Sequence, residues 1–214
     1  MATHEGASDA ELVRRSQGGD LAAFDQLVRR HEARAINVAY RTLGDLDAAH
    51  DAAQEAFVAA WRSLRKFKGQ SAFGTWLYRI LHNACLDHIK RRKRRGEVSL
   101  DAADDDNPGP PEPADPALGP EGELDQDETQ QLVHKALARL PDHHRQLLIL
   151  FDIQGMTYQE ICDIVGLPMG TVKSRLNRAR HALRRELEPL LEQDGRRSGR
   201  KPEGESTRER GESP

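Results

Sequence analysis

Between Gly170 and Arg180 the chain reads GTVKSRLNRAR. Side chains three and four residues apart share a helical face. One such face carries Gly170, Ser174, Asn177, Arg178 and His181, with Lys173 and Arg175 at its flanks and Thr171 beside it. Hydroxyl, amide and guanidinium groups offer donors and acceptors to base edges and cations to phosphates. That chemistry is the reading of duplex DNA through its major groove. A second stripe, Trp76, Arg79, Asn83, Asp87, Lys90 and Arg94, steps by three and four along another segment. An aromatic ring at the head of an increasingly basic face suits single-stranded nucleic acid, with the ring on bases and the cations on the backbone. Trp76 and Tyr78 fit equally well as partly buried core rings.

Catalytic chemistry finds little support. Nine histidines invite a metal-dependent nuclease, yet His82, Cys85 and His88 drift around a helix and His143-His144 are simply adjacent. HExxH, paired CxxC and Gly-rich phosphate loops are absent from the sequence. We therefore expect no catalytic residue, no metal and no cofactor. Cys85 and Cys162 lie far apart inside helical patterns and read as small reduced core residues of a cytosolic protein.

The elements that must position these faces are helices. Thr157-Tyr158-Gln159-Glu160 is a capping box, in which the Thr157 hydroxyl and the Glu160 carboxylate each satisfy the other's free amide. The helix it opens turns Ile161, Ile164 and Val165 inward. Gly166 supplies a tight turn, and Pro168 suits the start of the next helix. There Val172, Leu176, Ala179 and Leu183 form the core stripe, opposite the polar face. Helix, Gly turn and helix make the layout of a DNA-binding helix-turn-helix.

Upstream, Leu12, Val13, Phe24, Leu27 and Val28 start an amphipathic pattern broken at Gly18-Gly19-Asp20 and stopped at Gly44-Asp45. Ala48 to Leu64 is a strong helix, with Phe57 and Trp61 on one face. Lys66 to Ala72 is a loop, and a last helix with Leu77, Leu81, Ala84 and Cys85 inward runs from Phe73 into the basic run 90–95. In the C-terminal block, Leu132, Ala136, Leu137 and Leu140 make one helix closed by Pro141, and Arg145 to Ile153 make the next. No strand pattern is present.

The fold class expected is all-α: two small helical domains, 9–95 and 128–192, joined by an acidic linker, 96–127, and followed by a disordered tail, 193–214. The linker holds six prolines and no Lys or Arg, so it cannot bury enough apolar surface to offset chain entropy. A net charge of −3 hides this segregation of charge. No stretch of 18 apolar residues is found, and the N-terminus lacks the regions of a signal peptide. A cytoplasmic protein with no membrane insertion is expected.

Two segments carry a family resemblance. MTYQEICDIVGLPMGTVKSRLNRARHALRREL, with ALARLPDHHRQLLILFDIQG before it, resembles the promoter-binding C-terminal domain of sigma factors. DAAQEAFVAAWRSLRKFKGQSAFGTWLYRILHNACLDHIKRRKRR resembles the polymerase-binding helix, loop and promoter-melting helix of their N-terminal domain. With no room for further domains, the chain resembles the extracytoplasmic-function (ECF) group of the sigma-70 family. The resemblance implies that Lys173, Ser174, Asn177 and Arg178 meet the −35 element, with Gly170 and Thr171 at the helix start and Arg175 and Arg180 on phosphates. It implies that Asp51, Gln54, Glu55 and Phe57 dock on the polymerase core. His50 and Ala48 stand where the family often has acids. It further implies that Trp76, Arg79, Asn83 and Asp87 meet the −10 element, with one base flipped into the loop near Asn83 and phosphates on Arg91, Arg92 and Arg94. RNA polymerase core, promoter DNA and an anti-sigma factor are the implied partners, and the protein is implied to be no enzyme. The competing reading, a free-standing regulator that binds an operator unaided, leaves the N-terminal block unexplained.

Overall fold

The computed structural model describes residues 7–96 and 124–197. Each early helix starts on a side chain that can accept from a free amide. Ser8 caps α1 (Asp9–Gln17), Asp20 caps α2 (Leu21–Leu43) and Asp45 caps α3 (Leu46–Ser63). Gly44 ends α2 at φ 72°, a left-handed turn that only glycine enters without strain. A 3₁₀ turn, Leu64–Lys66, and a short loop then lead into α4 (Phe73–Arg94).

These four helices enclose one core, in which Leu12, Leu27, Leu64, Leu77 and Leu81 are fully buried. The inward face of α3 is small, with Ala49, Ala52, Ala53, Ala56 and Ala60 buried. Small contact residues let α3 lie close against α2 and α4, since interaxial distance follows side-chain size. The start of α3 at Leu46, rather than Ala48, follows from Asp45 taking the cap.

The C-terminal block comprises α5 (Leu124–Ala138), α6 (Asp142–Leu148), α7 (Tyr158–Val165) and α8 (Met169–Arg197). Its core is Leu137, Leu148, Ile149, Ile161, Val172 and Leu176. Three sequence expectations shift here. Arg145 to Ile153 is not one regular helix: α6 widens into a π turn over Ile149–Ile153. The Gln154 amide reaches the Ile149 carbonyl at 2.9 Å, and the wider turn lets Ile149 and Leu150 both point inward. The helix α5 begins at Leu124, so 124–127 belong to it rather than to the linker. Likewise α8 runs to Arg197, into the segment expected to be tail. The rest of the expected linker and tail lies outside the described residues.

The two blocks pack on each other, which the sequence reading did not anticipate. Val38 and Thr42 of α2 and Tyr78, His82 and Cys85 of α4 face Gln146, Ile149 and Leu150 across a closely fitted seam. Polar contacts rim it. Arg34 gives both a side-chain and a backbone oxygen of Gln154 a hydrogen bond at 2.6 Å. Thr75 donates to Glu160 at 3.1 Å, Arg145 to the Thr42 carbonyl at 2.8 Å and Lys93 to Asp142 at 3.1 Å. Tyr40 and His134 stack with ring centroids 4.9 Å apart. Burial raises the Tyr78 phenol to about 12, against the opposing pull of Arg34, and its hydroxyl has no hydrogen-bond partner among the described residues. Among the described residues there is no strand, and no helix is long and apolar enough to cross a membrane.

Candidate nucleic-acid interface

The C-terminal face is assembled from the cap inward. The Glu160 amide donates to Thr157 Oγ1 at 3.3 Å, and Glu160 Oε2 accepts from the Thr157 amide at 2.9 Å. The hydrogen bonds from the Thr157 backbone and hydroxyl, and from Thr75, hold the Glu160 carboxyl below its usual range. Gly166, at φ 69°, accepts the left-handed turn that reverses the chain. The Val172 amide bonds the Pro168 carbonyl at 3.0 Å, so Pro168 sits at the cap rather than inside α8.

Val172, Leu176 and Ala179 are buried and Leu183 is half-buried. Gly170, Lys173, Ser174, Asn177, Arg178 and His181 are all exposed, and Thr171 and Arg175 are half-buried at the edge. The structure therefore brings the predicted C-terminal set together on one face. Lys173 Nζ lies 5.4 Å from the centre of the Tyr158 ring, a cation–π contact that aims its stem. Ser174 Oγ donates to the Thr171 carbonyl at 3.1 Å. The side chains of Asn177 and Arg178 make no hydrogen bond or ion pair among the described residues. Arg180 is held instead by Asp152, at 3.2 Å from Nε, and lies over the Phe151 ring. Burial keeps the His144 imidazole below its ordinary range, helped by His143 and by Arg175 and Arg178.

The N-terminal face is arranged differently. Trp76 is half-buried, with its ring 4.8 Å from Phe67 and 5.9 Å from Phe73. The half-burial of Trp76 is what the core-ring reading expected, and it leaves part of the residue accessible. Tyr78 is a buried ring of the seam. Arg79, Asn83, Asp87, Lys90 and Arg94 follow along the exposed side of α4. Most of the basic end is already engaged. Arg91 Nη2 lies 3.1 Å from Glu55 Oε2, Arg92 reaches the Leu43 carbonyl at 3.4 Å, and Arg94 reaches the Lys90 carbonyl at 3.4 Å.

Asp51, Gln54 and Glu55 are exposed together on α3, whereas Phe57 is only 8% exposed and belongs to the core. Between the ends of α3 and α4 lies an open cleft of about 370 Å³, with Asp45, Asp51 and Glu55 on one wall and His88, Arg91 and Arg92 on the other. The Glu55–Arg91 pair is a feature of this cleft that sequence reading missed. It joins residues 36 positions apart, a distance at which no helical spacing rule operates. Among the described residues no three His, Cys, Asp or Glu side chains converge as metal ligands.

Known proteins share both halves of this arrangement. Residues 27–95 match Sigma-70 region 2, and residues 130–183 match Sigma-70, region 4. The chain is 40% identical over 195 residues to the RNA polymerase sigma-H factor of Pseudomonas aeruginosa, covering 89% of this chain and 98% of that one. It is 36% identical over 188 residues to the ECF RNA polymerase sigma-E factor of Escherichia coli K12, covering 87% and 98%. Among solved structures, CnrH in complex with the cytosolic domain of CnrY matches at a TM-score of 0.59 and 28% identity, over 88% of this chain and 99% of that chain. The sigma factor RpoE in complex with the anti-sigma factor NepR, from Bartonella quintana, matches at 0.57 and 28%, over 77% and 96%. A helix-turn-helix with an open polar face, a second domain whose last helix carries an aromatic ahead of its basic end, and relatives matched over nearly their full length identify this chain as a member of the ECF group of the sigma-70 family.

Proposed function

We propose that this sigma factor seats its N-terminal domain on RNA polymerase core and on the −10 strand, and its C-terminal domain on the −35 duplex. Transcription then starts where both elements are satisfied. The observation that carries the reading is the phase of α8, whose buried stripe leaves every side chain suited to base reading on the side away from the core. Lys173, Ser174, Asn177 and Arg178 read base edges, while Gly170 and Thr171 let the helix start approach and Arg175 meets phosphate.

On α4, Trp76 stacks on an unpaired base, Arg79, Asn83 and Asp87 line its path, and Arg91, Arg92 and Arg94 neutralise the backbone. Asp51, Gln54 and Glu55 dock on the polymerase. Phe57 contributes by packing beneath them. The protein works in the cytoplasm, where the polymerase is, and catalyses no reaction of its own. An anti-sigma partner is part of this reading, since both solved relatives cited above are sigma factors or their likeness held in complex with another protein.

The test is transcription in vitro with core polymerase on a genomic promoter library, followed by start-site mapping. New start sites sharing −35 and −10 sequences are expected only when the chain is added. Tight operator binding in a gel shift without polymerase would favour the free-standing regulator instead.

A further inference from the structure

The first helix lies ahead of the region matched to Sigma-70 region 2, which begins at residue 27, and none of its residues belongs to the proposed interfaces. It nevertheless grips the near end of the loop that leads into α4 directly, and it reaches the far end through His31 of α2. At the near end, Gln17 Nε2 donates to the Leu64 carbonyl at 3.0 Å and to the Phe67 carbonyl at 2.8 Å. Both amide hydrogens are thus spent on the two carbonyls that bracket the turn. Phe67 is the ring that packs at 4.8 Å against Trp76.

At the far end, Asp9 Oδ2 lies 2.7 Å from His31 Nε2, and Arg30 holds the other carboxylate oxygen at 2.9 Å. The His31 ring meets Phe73 edge-on with centroids 5.3 Å apart. It also covers the first turn of α4, where a Cβ on Gly74 would stand 3.4 Å from His31 Cε1. Leu12 and Val13 anchor α1 itself in the core. The span between the grips contains Gly69 at φ 68°, a left-handed turn of its own.

We infer that α1 is a positioning brace for the 67–73 segment, with Gln17 and the Asp9–His31 pair as its two grips, and that it sets the loop for capture of the −10 strand. The brace acts through Phe67, Phe73 and Trp76 and touches no DNA itself. This rests on the proposed role of the loop and α4 in holding the −10 strand.

The test uses full-length Gln17→Leu with core polymerase, on a promoter carrying 2-aminopurine in the −10 element. Loss of the two hydrogen bonds that bracket this turn lowers −10 opening by roughly tenfold, while affinity for core and for a −35 duplex stays at the wild-type value. Discrimination between −10 base substitutions flattens in parallel, which a general loss of stability would not produce. Gln17→Glu keeps the side-chain length and turns both donors into acceptors facing carbonyls, so it gives the same defect and serves if Gln17→Leu does not fold. Wild-type opening and wild-type base discrimination in both variants overturn the brace. A wild-type holoenzyme that opens no −10 element overturns the functional reading as well, so the two failures are distinguishable.

Discussion

The two helices proposed to touch DNA are prepared in opposite ways. The recognition face of α8 is largely open: the side chains of Asn177 and Arg178 are exposed and spend no hydrogen bond or ion pair on the rest of the described protein, while Lys173 and Ser174 make only local contacts. The face of α4 is held from within. Trp76 leans on Phe67 and Phe73, Arg91 on Glu55, and Thr75, one residue ahead of Trp76, on Glu160 of the other domain. A duplex presents its groove edges ready-made, so a rigid open face suffices to read it. A single strand must first be unstacked and then kept. A face meant for that task gains from internal contacts that fix a ring and store its cations until the strand arrives.

Arg145 offers the most disruptive way to break the comparison, because it belongs to the C-terminal block yet joins both. Its side chain is 12% exposed. It donates to the Thr42, Ala138 and Leu140 carbonyls. Arg145→Ala leaves those carbonyls short of donors and is expected to cost about 3 kcal/mol of stability, at roughly 1 kcal/mol for each. Chemical denaturation should show the C-terminal block unfolding first.

Next in size is a matched pair. Arg178→Ala should weaken binding to a −35 duplex by about 2 kcal/mol and leave the unfolding midpoint close to where it was, since that guanidinium makes no hydrogen bond or ion pair among the described residues. Trp76→Ala should weaken binding of the −10 strand by about 2 kcal/mol and also lower the midpoint, because Phe67 and Phe73 lose a packed ring. Fluorescence anisotropy and thermal melts on the same samples separate the two patterns. Equal midpoint shifts in both variants would erase the distinction between an open face and a held one.

A smaller effect is expected from Glu55→Gln. The Glu55–Arg91 pair is half exposed on both sides, so releasing it is worth no more than about 1 kcal/mol. The variant should bind a −10 strand roughly threefold more tightly and polymerase core more weakly. A change in only one of these would show that the carboxylate serves a single site.

Which parts of this were legible in the sequence follows from the range of the forces involved. The capping box, the Gly166 turn and the phase of α8 are set by residues within one or two helical turns of each other, and spacing alone exposed them. The apolar stripe of α4 was legible for the same reason. Contacts that tie distant positions left no local pattern. Gln17 reaches the turn 47 and 50 residues on, Arg34 reaches Gln154 across 120, and Arg145 reaches Thr42 across 103. The π turn was hidden as well, since it replaces a regular helix without changing which residue types are apolar. Phe57 shows the converse error: a residue placed among the docking side chains by its position in a motif is held inside by the packing of α3 against its neighbours.

The subtlest test of the comparison is acidity, because the seam that covers the start of α4 buries imidazoles. Burial holds His82 below its ordinary range, and it does the same for His134 with help from the charges of Arg41 and Arg145. Once the blocks part, hydrated imidazoles return to about 6.5. Below that pH the open form binds more protons than the closed one, so closure is fully favoured above it and weakens as the pH falls through it. Small-angle scattering between pH 7.5 and 5.5 should therefore show the free protein expanding as the solution becomes more acidic. His134→Phe keeps an aromatic ring on Tyr40 and cannot take a proton, so it should flatten part of that response and leave the remainder to His82. Expansion on raising the pH instead would mean that the seam is held by charged rather than neutral imidazoles, and the covered face of α4 would then be governed by ion pairs and not by burial.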